Sequence, residues 1–382
     1  MTVRVSRRQV LAWRLSAHSL GERLPAARRL EAVRPAGLRT GGPDSAVVGW
    51  HARSEGVGQG DVRDALLARR WLEAPTARGS RVLDPRDHAT LTAGALPVDD
   101  GALVDRLRRR GAATGTDPGA LLRDGAAAAR EALDAGPRTQ GELSQAVTTA
   151  LPPSVSAFCK ACDVVHVDTG LFGMVGLAVG WVRAVGADDD AFVRPERWLD
   201  AVPDRDRATG AAALLAWFLR AHSPTTPAEL AAWIGLGPAE AHARWARAPE
   251  LVEVDHDGRR AWVPVDQLDG LRAAEPAPGV RLLPPYDAAL EGPDRKTLVP
   301  DPAQQKVVWR MVANPGVALV DGSVSCAWRA RRHGRRLDVT LLPLDGWQPA
   351  HERRIAQELA EVAALRGAEL GAVGVSRREP TS

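Results

Sequence analysis

The chain has 382 residues, 45% hydrophobic and 25% charged, a globular composition with length enough for two or three domains. Its formal net charge is only +3, so affinity for nucleic acid has to come from local clusters and not from an overall field. Three cysteines exclude a disulfide framework and fit a reducing cytosol, and no run of apolar residues is long enough to span a bilayer.

The start, "VSRRQVLAWRL", pairs two arginines as an export signal does, but "SAHSLGERLPAARR" follows without an apolar core, and the export reading fails. Ser6 is instead expected to cap a helix whose apolar residues are Val10, Leu11, Trp13 and Leu15. Three short helical stretches come next, and "RWLEAPTARGSRVLDP" then reads as a hairpin with Gly79-Ser80 near its tip.

From Gly136, "GPRTQGEL" shares the pattern x-P-x-T-x-x-E-L with "SPTTPAEL" 87 residues further on, and each copy follows an alanine-rich helical stretch. Thr139 and Glu142 in one copy, Thr226 and Glu229 in the other, have capping-box spacing, and modules repeated at this distance suggest tandem units. The second helix of the earlier copy is expected to start near Pro152 or Pro153. It would then carry Cys159 and Cys162, with His166 beyond them. C-x2-C-x3-H offers two or three zinc ligands, but cysteines three apart on a helix also share a buried face, and that core-packing reading is favoured. No metal and no cofactor is expected.

Residues 223–265 read as helix, turn, helix, hairpin, the order of a winged helix. Pro227 starts the first helix, Gly235-Leu236-Gly237 breaks it, Pro238 starts the second and Asp257-Gly258 turns the hairpin. Arg244 and Arg247 on the second helix, and Arg259 and Arg260 on the wing, are candidate phosphate contacts; the alternative is a solvated face.

The last third is strand-rich, with turns at Asp321-Gly322 and His333-Gly334. "WRARRHGRRLDV" gathers Arg329, Arg331, Arg332, His333, Arg335 and Arg336 around one hairpin tip, the densest positive patch in the chain. Such a hairpin can follow a phosphate backbone, while the alternative is a sheet edge protected by charge. The amphipathic stretch "AHERRIAQELAEVAALRG" then packs Ile355, Leu359, Val362 and Leu365 inward.

The segments "LLPPYD", "GPDRKTLVPDP", "VALVDGSVSCAWRARRHGRRLDVTLLP" and "CKAC...H...GLF" resemble the AlkZ-like winged-helix family of bacteria, and the resemblance spans nearly the whole chain. It implies an α+β, mainly α fold: tandem winged-helix modules, then a small antiparallel β-barrel or meander and a C-terminal helix, wrapped around duplex DNA. The modules are expected at residues 1–117, 118–200, 201–278 and 279–382. Double-stranded DNA is the implied partner, with no membrane or protein partner evident and a cytoplasmic location. Characterised members excise alkylated or crosslinked purines, using a Gln-x-Gln or Gln-x-Asp motif after a "GL" pair. The corresponding stretch is "GLRTGGPDSAVVGWHAR", which places Arg39 and Gly41 at the two motif positions and leaves Asp44 as the nearest carboxylate. A DNA-binding protein with weakened or lost glycosylase chemistry is the leading expectation. An active glycosylase using Asp44 comes second and a transcriptional regulator third; the helix from Pro238 lacks the Asn and Gln that a regulator uses to read bases.

Overall fold

The computed structural model describes residues 3–34, 36–40, 44–98, 101, 117–186, 191–199 and 206–376. It is a mixed fold, 48% helical and 23% strand, so helix predominates as the sequence reading anticipates. Two compact units interleave along the chain. One comprises residues 1–62, 218–226 and 249–382, and the other residues 63–217 and 227–248.

In the first unit Ser6 and Gln9 form both arms of a capping box on the helix Arg7–Ala17, which buries Val10, Leu11 and Leu15. The hairpin of Leu251–His256 and Arg259–Pro264 turns through Asp257 and Gly258, both at positive φ (50° and 81°), as a tight two-residue turn demands. Val3–Val5 adds to it as a parallel strand, with Val3 opposite Val254, a pairing not evident from the sequence. Val5, Val10, Val254, Ala261, Val263 and Leu271 fill the small core beneath.

The larger sheet of this unit runs Val280–Leu283, Gly316–Val320, Ser323–His333, Arg336–Pro343 and Glu369–Val375, in that order. Its first four strands form an antiparallel meander, while Glu369–Val375 lies parallel to Arg336–Pro343. The sheet is open among the described residues, so the barrel alternative is corrected to a meander with a parallel edge strand. The cause is the helix Pro349–Leu365: it crosses the sheet and returns the chain beside the strand it has just left, instead of carrying it to the first strand. Ile355, Leu359 and Val362 are fully buried against Cys326, Trp328, Val339 and Leu341. The opposite face near Val317, Leu319 and Val324 is covered by Leu11, Leu15, Leu290 and Val308.

In the second unit the hairpin of Leu72–Thr76 and Gly79–Leu83 pairs Thr76 with Gly79, which moves its turn to Ala77-Arg78 from the expected Gly79-Ser80. Thr139 and Glu142 complete the capping box of the helix Gln140–Ala150. The helix expected near Pro152 is absent. A single tight turn, Pro153–Val155, leads into Ser156–Cys159, which pairs with Val164–Val167 as a two-stranded ribbon. Two prolines end helical propagation there, and the β-branched run Val164-Val165-His166-Val167 suits an extended strand better than a helix. The helices Pro227–Ile234 and Pro238–Trp245 flank Gly235 at φ 79°, and bury Leu230, Trp233 and Ile234.

Candidate nucleic-acid interface

The arginine-rich hairpin projects from the meander, with Ser323–His333 paired to Arg336–Pro343 and His333 directly opposite Arg336. Side chains alternate faces along a strand. Cys326, Trp328 and Ala330 point into the core under the closing helix, so Arg329, Arg331 and His333 take the other face, together with Arg336. Arg331 and Arg336 are exposed. Arg332 lies on the core side and is tied down: its guanidinium donates to the carbonyls of Arg366 (3.0 Å) and Gly367 (3.0 Å), closing the C-terminus of the helix Pro349–Leu365. Arg335, in the turn, reaches Glu369 at 3.4 Å. Arg329 is half-buried and donates to the Ala313 carbonyl at 2.9 Å, so the six basic residues of the tip divide between an open face of Arg331, His333 and Arg336 and structural contacts.

On the side of the sheet that carries Trp328 and Ala330 lies a cleft of about 190 Å³, lined by Ser45, Pro284, Pro285, Asn314, Trp328, Arg329 and Arg366 among others. Its floor needs a glycine: a Cβ on Gly316 would stand 2.3 Å from the Trp328 ring. The Trp328 indole N–H donates to Leu283 O at 3.1 Å, which holds the "LLPP" backbone against the sheet. Met311 and Val312, three residues or fewer from the cleft residue Asn314, are exposed apolar groups, 101% and 74% accessible.

The stretch expected to correspond to the glycosylase motif belongs to the same unit. Arg39 is half-buried with its guanidinium 5.5 Å from the centre of the Tyr286 ring, a cation–π contact. Gly41 lies outside the described residues. Asp44 immediately precedes the helix Ser45–His51 in a left-handed conformation (φ 60°), and its carboxylate accepts from Arg366 Nε at 3.3 Å. Ser45 and Arg366 both line the cleft, so Asp44 stands beside it. Arg366 is a candidate site residue that the sequence reading missed; nothing in "ALRGAEL" distinguishes it from the many other arginines of the chain.

The surrounding ionic contacts are scaffold. Asp287 of "LLPPYD" is fully enclosed; burial opposes its ionisation, but a two-pronged contact from Arg53 (2.7 and 2.8 Å) outweighs this and keeps its carboxyl below the ordinary range. Asp294 of "GPDRKTLVPDP" is likewise buried, yet Arg14 at 2.9 Å, the Thr297 hydroxyl and Arg259 at 2.8 Å hold it at about 2. Glu358 joins His51 (3.0 Å) and Arg23, tying the helix Ser45–His51 to the closing helix.

Among the proposed winged-helix contacts, Arg244 is a correction. It is 4% exposed, bonded to Glu240 at 2.5 Å and to the carbonyls of Gly94 (2.7 Å) and Leu96 (2.6 Å), so it cannot reach a phosphate. Helical spacing placed it on the buried side, next to Ala241, and its charge is neutralised from within the same helix. Arg247, one turn on, is exposed. Arg259 is committed to Asp294, and Arg260 pairs with Glu253 at 2.5 Å across the hairpin. That leaves Arg247 as the open cation of this group of four, since Arg260, though exposed, is held against its neighbours.

The cysteine reading is corrected as well. Cys159 ends one strand of the ribbon 156–167 and Cys162 lies in its turn; Cys162 is exposed and Cys159 half-buried, so neither is core. Hydrogen bonds from His166, then from the Cys162 backbone, lower the Cys159 thiol to about 7. Cys326, by contrast, is buried in its strand as expected, and burial pushes its thiol up to about 12.

The sequence matches the AlkZ-like family, described as DNA glycosylase AlkZ-like, across residues 13–365. The chain belongs to the AlkZ-like DNA glycosylase family. A curated relative, the interstrand DNA cross-link repair glycosylase of Streptomyces sahachiroi, is 28% identical over 173 residues, which cover 44% of this chain and 45% of the relative. The chain thus matches a little under half the length of that relative. The structure of Streptomyces sahachiroi DNA glycosylase AlkZ has the same fold, with a TM-score of 0.74 at 19% identity over 98% of this chain and 100% of that one. Within this AlkZ-like chain, the segments that carried the resemblance build the cleft and its supports: Pro284, Pro285 and Trp328 line it, while Asp287 and Asp294 anchor the backbone behind it. No helix among the described residues is long and apolar enough to cross a membrane.

Proposed function

We propose that this AlkZ-like protein binds double-stranded DNA through tandem winged-helix modules and the arginine hairpin, and that its base-excision chemistry is weakened or lost. The observation that carries the reading is the pair of exposed arginines, Arg331 and Arg336, on one face of the hairpin, together with Asp44 and Arg366 beside the cleft on the closing-helix side of the sheet. Exposed guanidinium groups suit phosphate oxygens, and contacts of this kind position a duplex without requiring chemistry. The module boundaries at residues 118, 201 and 279 belong to this proposal, as does a cytoplasmic location.

Weakened chemistry follows from the motif positions. The family's glutamine and its partner would orient water towards the glycosidic carbon as the base departs. A guanidinium offers donors and no acceptor, and that of Arg39 lies over the Tyr286 ring; Gly41 has no side chain to orient anything.

One observation favours a second reading, an active glycosylase excising alkylated or crosslinked purines. Asp44 supplies a carboxylate beside the cleft, at the start of a helix and within reach of a guanidinium. A carboxylate there would hold water and balance the positive charge that develops on the sugar. Incubation with a duplex containing N7-alkylguanine, followed by alkaline cleavage of abasic sites, separates the two. Cleavage at the level of the protein-free control is the expected result. Cleavage well above it that disappears in Asp44→Asn establishes the second reading instead.

A further inference from the structure

Among the described residues, the ribbon of Ser156–Cys159 and Val164–Val167 is a two-stranded sheet with no third strand. It exposes Phe158 (59%), Val164 (50%) and Val165 (54%) to solvent instead of burying them. An isolated two-stranded ribbon without an apolar face to bury is marginally stable in water, so something other than a core must order this tip.

The tip carries three ligating side chains. Cys159 Sγ, Cys162 Sγ and a ring nitrogen of His166 all lie within 4.8 Å of one another. His166 Nδ1 is 2.7 Å from the carbonyl of Val167; a carbonyl only accepts, so Nδ1 carries a proton, and Nε2 is the nitrogen left to serve as ligand once its own proton is given up. That backbone contact fixes both tautomer and ring orientation, as the outer partner of a metal-bound histidine does. The backbone N–H groups of Cys162 and Ala161 point at the Cys159 sulfur, which suits a thiolate. Asp163, in the left-handed region at φ 56°, donates its N–H to Cys159 O at 2.8 Å and closes the turn that brings the two cysteines together.

We propose that Cys159, Cys162 and His166 form a zinc site that clamps the tip of this ribbon. With Zn–S of about 2.3 Å and Zn–N of about 2.0 Å, ligands around one tetrahedral ion stand roughly 3.5–3.8 Å apart, so closing from the present spacing takes side-chain shifts of about 1 Å. Two thiolates neutralise the ion's charge, and the histidine enters as a neutral ligand. The fourth position is left to water, since three protein ligands leave one coordination site open to solvent. Nothing in this argument depends on the DNA-binding reading, because the ligands, the ribbon and the tautomer are independent of the arginine face.

The test uses the reduced, chelator-stripped full-length chain, titrated with Co²⁺ and then displaced with Zn²⁺. One Co²⁺ per chain is expected, with a thiolate-to-cobalt charge-transfer band that Zn²⁺ abolishes. The band is expected to be absent in Cys159→Ser/Cys162→Ser and retained in Cys326→Ser, while His166→Gln weakens metal affinity at least tenfold. Binding is expected to weaken as pH falls, because protons compete for the same ligands. Circular dichroism and thermal melting of the apo variants should match the apo parent, since the site is exposed. Absence of the band, the same band in the double cysteine variant, or a Cys159–Cys162 disulfide persisting at a cytosolic glutathione poise would each overturn the proposal.

Discussion

Replacing Arg244 tests whether this arginine is scaffold or interface. In Arg244→Met the Glu240 carboxylate, 5% exposed, loses its cation, and the Gly94 and Leu96 carbonyls lose a charged donor. Removing one partner of a buried pair costs about 3–5 kcal/mol, because the other charge is left in a poorly solvated place. Making both sides apolar, as Arg244→Met with Glu240→Leu, removes that stranded charge and should recover most of the loss. Arg247→Ala, one turn away on the exposed side, should change stability by no more than about 0.5 kcal/mol. Urea unfolding followed by tryptophan fluorescence measures all three, and retention on duplex DNA provides the second readout. The reasoning fails if Arg244→Met unfolds with the parent protein yet loses DNA retention, since that pattern describes an exposed phosphate contact.

Three further outcomes follow from the scaffold. Asp294 titrates at about 2 in the folded protein, whereas an unfolded aspartate titrates near ~3.9. Between these values the unfolded chain binds more protons, so the stability from Asp294 is present above about pH 4 and is lost as pH falls towards 2. Asp294→Asn should flatten that part of an acid-unfolding curve. Asp287→Ala, which strands Arg53 at 2% exposure, should cost about 3–5 kcal/mol by denaturant titration; a loss under 1 kcal/mol would contradict a buried, charged pair. Gly316→Ala forces a carbon against the Trp328 ring and should lower stability by about 1–3 kcal/mol, seen as a lower Tm.

Local signals in the sequence survived into the structure wherever local chemistry decides the outcome. The Ser6 and Thr139 capping boxes, the Asp257-Gly258 and Asp321-Gly322 turns, and the buried stripe Ile355, Leu359 and Val362 are all set by near neighbours in the chain. What escaped depends on distant partners. Val3–Val5 is too short to announce a strand and exists because Val254 offers it a ladder. The parallel edge strand that keeps the meander open depends on where a crossover helix lands. Arg244 looked like its neighbour Arg247 because charge alone does not reveal which side of a helix is enclosed by residues 94–98. The candidate site was legible as a cluster of arginines, but its division was not: Arg332 faces the closing helix and Arg331 does not, a consequence of strand alternation anchored by Trp328. Arg366 carried no signal, since its meaning comes from Asp44, more than 300 residues away.

The salt dependence of duplex affinity measures the arginine face most directly. Each phosphate contact contributes about 0.9 to the slope of log affinity against log salt for duplex DNA. Comparing the parent with Arg331→Ala/Arg336→Ala, two exposed residues outside the packed core, should lower that slope by about two, with folding unchanged. An identical slope and affinity in the two proteins would mean that this face does not hold DNA.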